Sequence, residues 1–121
     1  MLAFFGCPPA RTRLADVDVG TRRLVEVAGH VLAQPRVLLL DEPAAGLSHE
    51  EHVAFGERLR QVPARFGITL LLIEHDLDLV RSVCDTLTVL DFGEVLASGP
   101  QHEVLADPAV LKAYMGETEM L

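Results

Sequence analysis

Positive charge is scarce in this sequence. Lysine and arginine together number 10 against 18 acidic residues, for a formal net charge of −8 and a pI near 4.9, and Lys112 is the single lysine. That balance leaves no basic footprint for nucleic acid and no polybasic attraction to anionic lipid. Cysteine is scarce too. Cys7 and Cys84 stand far apart without C-x-x-C spacing, read as ordinary buried or part-buried thiols, and fit a reducing, cytoplasmic compartment. No apolar run approaches the roughly 18 to 20 residues that span a bilayer. Met1-Leu2-Ala3-Phe4-Phe5 lacks the basic flank of a signal peptide. Internal repeats and low-complexity stretches are also missing. What is present is apolar: half of the 121 residues are hydrophobic, enough for the core of one small domain or of a piece of a larger one.

Residues 6 to 20 carry Gly6, Pro8, Pro9, Asp16, Asp18 and Gly20 and predict irregular chain with at most a helical turn. Order begins after them. Leu24, Val27, Ala28, Val31 and Leu32 recur at helical spacing until Gln34-Pro35 stops the helix, and Val37-Leu38-Leu39-Leu40 then reads as a buried strand. Ser48 with Glu51 three residues on is a capping-box pattern, and Phe55, Leu59, Val62 and Phe66 continue one apolar face. Pro63 should end or kink that helix and Gly67 should close it. Ile68 to Ile73 gives a second strand, apolar on both faces, so strand, helix and strand predict a parallel pair. Leu77, Val80, Val83 and Cys84 suggest a short helix. Thr86–Leu90 and Val95–Ala97 read as two strands joined at Asp91-Phe92-Gly93-Glu94. Pro100 and Asp107-Pro108 should start short terminal helices, the last stopped by Gly116.

The strongest chemical signal is the apolar run leading directly into Asp41-Glu42-Pro43. Acids at the C-terminal end of a parallel strand lie where α/β sheets bind ligands. One acid there can hold Mg²⁺, usually through water, while its neighbour faces an attacking water as general base, the division of labour that phosphoryl transfer needs. Asp41 suits the metal and Glu42 the base. An isolated Asp-Glu pair would more often be a strand end followed by a solvated turn, and it is the remainder of the chain that reverses those odds.

With these residues in view, the sequence is similar to the ATP-binding-cassette family. Val37-Leu38-Leu39-Leu40-Asp41-Glu42 matches its Walker B motif, and Ala44-Ala45-Gly46-Leu47-Ser48 resembles its D-loop, which faces the partner subunit in a closed dimer. About 33 residues after Glu42 comes Ile73-Glu74-His75-Asp76, similar to the H-loop, whose histidine contacts the γ-phosphate. Upstream, Val17-Asp18-Val19-Gly20-Thr21-Arg22-Arg23 occupies the place of the signature motif in degraded form: Gly20 and Arg23 fit, Asp18 replaces a serine, and Thr21 replaces a glutamine. A carboxylate near a γ-phosphate would repel it; without the other motifs, residues 17 to 23 would read as a loop and helix start capped by Asp18. The likeness covers about residues 14 to 116, and the phrases around Glu42 and His75, with Tyr114-Met115-Gly116-Glu117, look most like branched-chain amino-acid importers. Importers of polar amino acids, urea or lipid precursors could share such phrases.

The resemblance implies a partial P-loop NTPase fold of the RecA-like, three-layer α/β type, with a parallel sheet and a C-terminal antiparallel hairpin but without the Walker A strand. Residues 1–35 would be the remnant of the helical subdomain and residues 36–121 the C-terminal half of the ATPase core. The implied cofactors are ATP and Mg²⁺, with Glu42 and His75 catalytic and Asp41 the magnesium residue. Asp18, Val19, Gly20 and Thr21 would face the ATP of a partner subunit, and Ala45, Gly46 and Leu47 would form the D-loop. Implied partners are a second ATPase subunit, a transmembrane permease, and an N-terminal half of the cassette, on the inner face of the membrane and without nucleic acid. No Gly-x-x-x-x-Gly-Lys-Ser/Thr phosphate loop occurs in the sequence. The chain therefore reads as a fragment, a truncated frame or half of a split gene, expected to be inactive alone, and the strand 68–73 should have an exposed edge where the loop-bearing strand would lie.

Other coincidences are weaker. His49-Glu50-Glu51-His52 resembles a zinc-protease motif but sets its histidines three apart, with no third ligand evident. Asp91-Phe92-Gly93 resembles the kinase magnesium loop without that family's other loops, so it reads as a hairpin turn. Glu117 and Glu119 read as a solvated tail. Three functions compete: an importer ATPase subunit completed by a companion segment, an inactive remnant that binds a partner cassette, and a cassette protein of DNA repair or translation, which the acidic balance disfavours.

Overall fold

The computed structural model describes residues 1–114, which form two compact units, residues 1–83 and the described residues from 84 onward. In the first unit, a single 3-10 turn at Leu14–Asp16 precedes helix α1 (Val19–Leu32), strand β1 (Val37–Asp41), helix α2 (His49–Phe66), strand β2 (Thr69–Ile73) and helix α3 (Leu77–Val83). The two strands pair in parallel with Val37 opposite Thr69 and Asp41 opposite Ile73. Parallel neighbours need a crossover connection, and α2 supplies it here.

Local chemistry sets the helix ends. Ser48 accepts from the Glu51 amide at 3.2 Å while the Glu51 carboxylate accepts from the Ser48 amide at 3.4 Å, closing the capping box. Pro63 lies inside α2 and does not end it; the helix runs on to Phe66 and stops where Gly67 turns left-handed at φ 66°. Glycine is favoured there because a side chain would be strained at positive φ.

The core of this unit joins Val27, Ala28 and Val31 of α1, Leu38 and Leu40 of β1, and Phe55, Leu59 and Val62 of α2, with Leu70 and Leu72 of β2 packed against it. Phe5 is fully buried among them, and Phe4 stacks edge-on against both Phe5 and Phe66, with the Arg65 guanidinium 4.7 Å from its ring centre. Phe5 is thus part of the core and Phe4 packs against it, a role that the irregular stretch following them hides.

One expectation is corrected. The strands are covered on one face only: Leu38 and Leu40 are buried, but Leu39 is 67% exposed, and Val37, Leu71 and Ile73 are also more than half exposed. A strand apolar on both faces suits a sheet covered on both sides; α1 and α2 supply one cover, and the period-2 alternation of side chains leaves the odd-numbered positions outside. Among the described residues, β2 has β1 as its only strand neighbour.

In the second unit, β3 (Thr86–Asp91) and β4 (Glu94–Pro100) form an antiparallel hairpin with an irregularity between Val89 and Leu90. Phe92 and Gly93 both have positive φ, the conformation of a tight primed turn whose twist matches the strands. Helices α4 (Gln101–Val104) and α5 (Pro108–Tyr114) follow, with the Asp107 carboxylate accepting from the Ala109 amide at 2.8 Å and the Tyr114 hydroxyl donating to the Leu90 carbonyl. The expected stop at Gly116 and the acidic tail lie outside the described residues.

Candidate active site

Glu42 and His75 meet at the C-terminal exits of β1 and β2. The Glu42 amide donates to the Ile73 carbonyl at 2.8 Å, extending the ladder by one bond. There Glu42 turns to φ 45°, a left-handed conformation uncommon for a residue with a side chain. Its Oε1 lies 3.1 Å from His75 Nδ1, and both side chains remain more than half exposed. An acid and an imidazole in contact at this edge can share a proton and orient a water molecule. Asp41, the last residue of β1, is exposed beside them.

The loop carrying His75 is braced on both sides. Glu74 has a side chain only 2% exposed, and its Oε1 accepts from the His75 amide at 3.2 Å. Asp76 Oδ1 accepts from the amides of Asp78 and Leu79 at 2.9 and 3.2 Å, fixing the start of α3, while Asp76 Oδ2 lies 2.8 Å from His52 Nδ1 on α2. That last contact is an ion-pair approach whose angle falls short of an aligned hydrogen bond. A period-2 count along β2 could have found Glu74: positions 70 and 72 face the core, and 74 follows them. His52 carried no such signal, since its partner is remote in sequence.

The segment from Pro43 to Ser48 is a tight turn. Pro43 and Ala44 are buried, the Ala45 amide donates to the Glu42 carbonyl and the Leu47 amide to the Ala44 carbonyl, each at 3.2 Å, and Gly46 takes φ 81°. Ala45 and Gly46 face outward, and Leu47 is half-buried. Arg23 reaches this turn from α1 and donates to the Ala45 carbonyl at 3.5 Å.

Asp18, Val19, Gly20 and Thr21 form the start of α1. Asp18 is its N-cap, accepting from the Thr21 amide at 2.6 Å, and this hydrogen bond holds its carboxyl below the ordinary value of 3.8. Gly20 is buried against the Glu51 carboxylate, and a Cβ at this position would stand 2.7 Å from Glu51 Oε2. The segment is thereby brought against the N-terminus of α2. Burial raises the thiols of Cys7 and Cys84, with Asp85 adding to the effect on Cys84, and each thus favours its protonated form.

Comparison with known proteins gives the relatives of the chain. The family model of the branched-chain amino acid ATP-binding cassette transporter matches residues 94–119. The high-affinity branched-chain amino acid transport ATP-binding protein LivG of Salmonella typhimurium is 37% identical over 108 residues, covering 89% of this chain and 42% of LivG. The Nod factor export ATP-binding protein I of Rhizobium leguminosarum is 37% identical over 116 residues, covering 93% of this chain and 37% of that protein. The crystal structure of the ADP conformation of an ATP-binding cassette of an ABC transporter superposes with a TM-score of 0.79 and 32% identity, over 95% of this chain and 47% of that one. In fold and sequence the chain corresponds to the C-terminal part of the ATPase domain of ATP-binding-cassette transporters. It resembles, in particular, the ATP-binding proteins of branched-chain amino acid transport, and it spans about two fifths of the length of the curated relatives it matches.

Proposed function

We propose that this chain is the catalytic C-terminal portion of an ATPase subunit of an importer for branched-chain or other amino acids. The observation that carries this reading is the contact of Glu42 with His75 at the exits of two paired parallel strands. In it, Glu42 takes the proton of an attacking water, and His75 steadies that carboxylate and faces the γ-phosphate. Ala45, Gly46 and Leu47 face a second ATPase subunit, and Asp18 to Thr21 face the ATP that the second subunit holds. On this view residues 1–35 belong to the helical subdomain and residues 36–121 to the ATPase core.

The donor set fits a magnesium ion that keeps most of its waters: Asp41 offers an exposed hard oxygen at the strand exit. When bound, Mg²⁺ would neutralise charge on the phosphates. The residues of this chain do not fit the phosphates themselves, because no glycine-rich loop with lysine occurs in its sequence. A companion segment must supply that cradle. The transmembrane permease is a further partner, which would place the assembly on the inner membrane face; among the described residues no helix is long and apolar enough to cross a membrane.

The second reading is a catalytically inactive truncated cassette that binds a partner through residues 44–48, favoured by the missing phosphate loop. Mixing the purified chain with a phosphate-loop-bearing N-terminal segment of a relative separates the two. ATP hydrolysis that requires both pieces supports the first; folded, associated pieces without hydrolysis support the second.

A further inference from the structure

We infer that Arg23 is a positioning residue for Glu42, holding from helix α1 the turn that sets the backbone of that carboxylate. The inference deepens the proposed function and rests on its assignment of Glu42 as the base. Glu42 is hard to hold where it stands. Its left-handed φ of 45° is strained for a residue with a side chain, and the proline that follows pushes the residue before it toward extended backbone. Such a conformation persists only where the surrounding structure fixes it.

Two backbone hydrogen bonds act on Glu42 directly. Its amide donates to the Ile73 carbonyl at 2.8 Å, and its carbonyl accepts from the Ala45 amide at 3.2 Å. The first belongs to the strand ladder. The second depends on where the Ala45 peptide lies, and beyond the buried Pro43 and Ala44 the turn leaves the core: Ala45 and Gly46 are exposed, and Gly46 takes φ 81°. Arg23 supplies the hold at this point. Half-buried on α1, it donates from Nη2 to the Ala45 carbonyl at 3.5 Å.

A second contact joins the same two segments. Gly20, one turn before Arg23, lies buried against the Glu51 carboxylate, which accepts from the Ser48 amide at the far end of the turn. The first turn of α1 thus meets residues 42–48 through Ala45 and through the Ser48 cap, and a shift of α1 moves Ala45 and, through its amide, Glu42. Arg22 gives the contrast. It is exposed on the same helix and donates to the Leu14 carbonyl at 2.8 Å, outside that segment. In the proposed function the start of α1 faces the ATP of the second subunit, so the helix that meets that ATP also carries the hold on the base.

The test compares Arg23→Met with Arg22→Met in the purified chain by nuclear magnetic resonance. Each substitution removes one guanidinium from α1 and keeps an unbranched side chain of similar helix propensity. In Arg23→Met, amide exchange at Ala45 should quicken several-fold and the Cα and Cβ chemical shifts of Glu42 should move away from their left-handed values, with exchange in the β1–β2 ladder unchanged. Arg22→Met should leave both readings native. Native readings in Arg23→Met, or equal changes in the two variants, would overturn the inference. Should Arg23→Met fail to fold, Arg23→Gln takes its place in the same comparison. In a domain restored with a companion segment, Arg23→Met should lower kcat several-fold with KM for ATP nearly unchanged, and a native kcat would overturn the inference as well. The spectra involve no nucleotide, so failure of the ATPase reading appears as absent turnover in the restored native domain, and failure of this inference as an unmoved Glu42 backbone.

Discussion

His52 on α2 and Asp76 at the start of α3 approach to 2.8 Å, and the same Asp76 carboxylate caps the amides of Asp78 and Leu79. The pair ties the crossover helix to the loop that presents His75. His52→Ala removes the tie while leaving the cap, so the α3 start should open more often. Amide exchange at Asp78 and Leu79 should quicken several-fold, with little change in the β1–β2 ladder. Equal protection in both proteins would show that the pair is incidental.

The chain alone should show no ATP hydrolysis above background and very weak nucleotide binding, because nothing in it replaces the amide cradle and lysine that hold phosphates. Calorimetry yielding micromolar Mg-ATP affinity would contradict this. In a domain restored with a companion segment, Glu42→Gln should leave nucleotide binding nearly intact and lower turnover by roughly 10² to 10⁴, the loss expected for a general base. Unchanged turnover would remove Glu42 from that role.

Glu42 stands at φ 45°, where an unbranched side chain is tolerated and a β-branched one is not. Glu42→Gln should therefore be close to native in stability, while Glu42→Val should lose roughly 1–3 kcal/mol on urea unfolding. Equal stability of the two variants would mean that the turn relaxes.

Gly20 abuts the Glu51 carboxylate that closes the α2 capping box. A methyl group there forces Glu51 away from the Ser48 amide, an interaction worth about 0.5–2 kcal/mol, against a helix-propensity gain of under about 1 kcal/mol. Gly20→Ala should be net destabilising in the native chain and stabilising in the Glu51→Ala background, a sign change that a double-mutant cycle measures directly. Additive effects would place the cost elsewhere.

Asp18 caps α1, and its hydrogen bond to the Thr21 amide lowers its pKa below the ordinary value of 3.8. The folded chain binds this proton less readily than the unfolded chain, so the contribution is complete above the unfolded value and is lost as pH falls through the lower folded one. Asp18→Ala should lower the melting temperature near neutral pH, and its difference from the native chain should shrink as pH drops below the ordinary carboxylate value. In a restored domain, Asp18→Ser keeps a cap and removes the like charge from a facing triphosphate. It should strengthen ATP-driven dimerisation, and weaker dimerisation would show the repulsion argument to be wrong.

Most of the element order was legible from local physics. The capping box at Ser48 and Glu51, the left-handed stop at Gly67, the Asp91–Glu94 hairpin and the parallel reading of two apolar strands depend on residues near one another in sequence, and each appears in the structure. The acids at the β1 exit and the histidine at the β2 exit were legible for the same reason, since a βαβ unit puts both strand ends on one edge. Three features waited for the tertiary structure. Phe5 precedes an irregular stretch and shows no periodicity, so only packing brings it into the core. The exposed odd face of β1 and β2 depends on which helices cover the sheet, and an apolar run looks the same with one cover or two. The pairing of His52 with Asp76, the support of Ala45 by Arg23 and the burial of Glu74 beside His75 depend on side chains set at a common place by the helix and strand that carry them. Sequence patterning fixes which way each residue faces along its own element; which residues it then meets is set by the packing of that element against another.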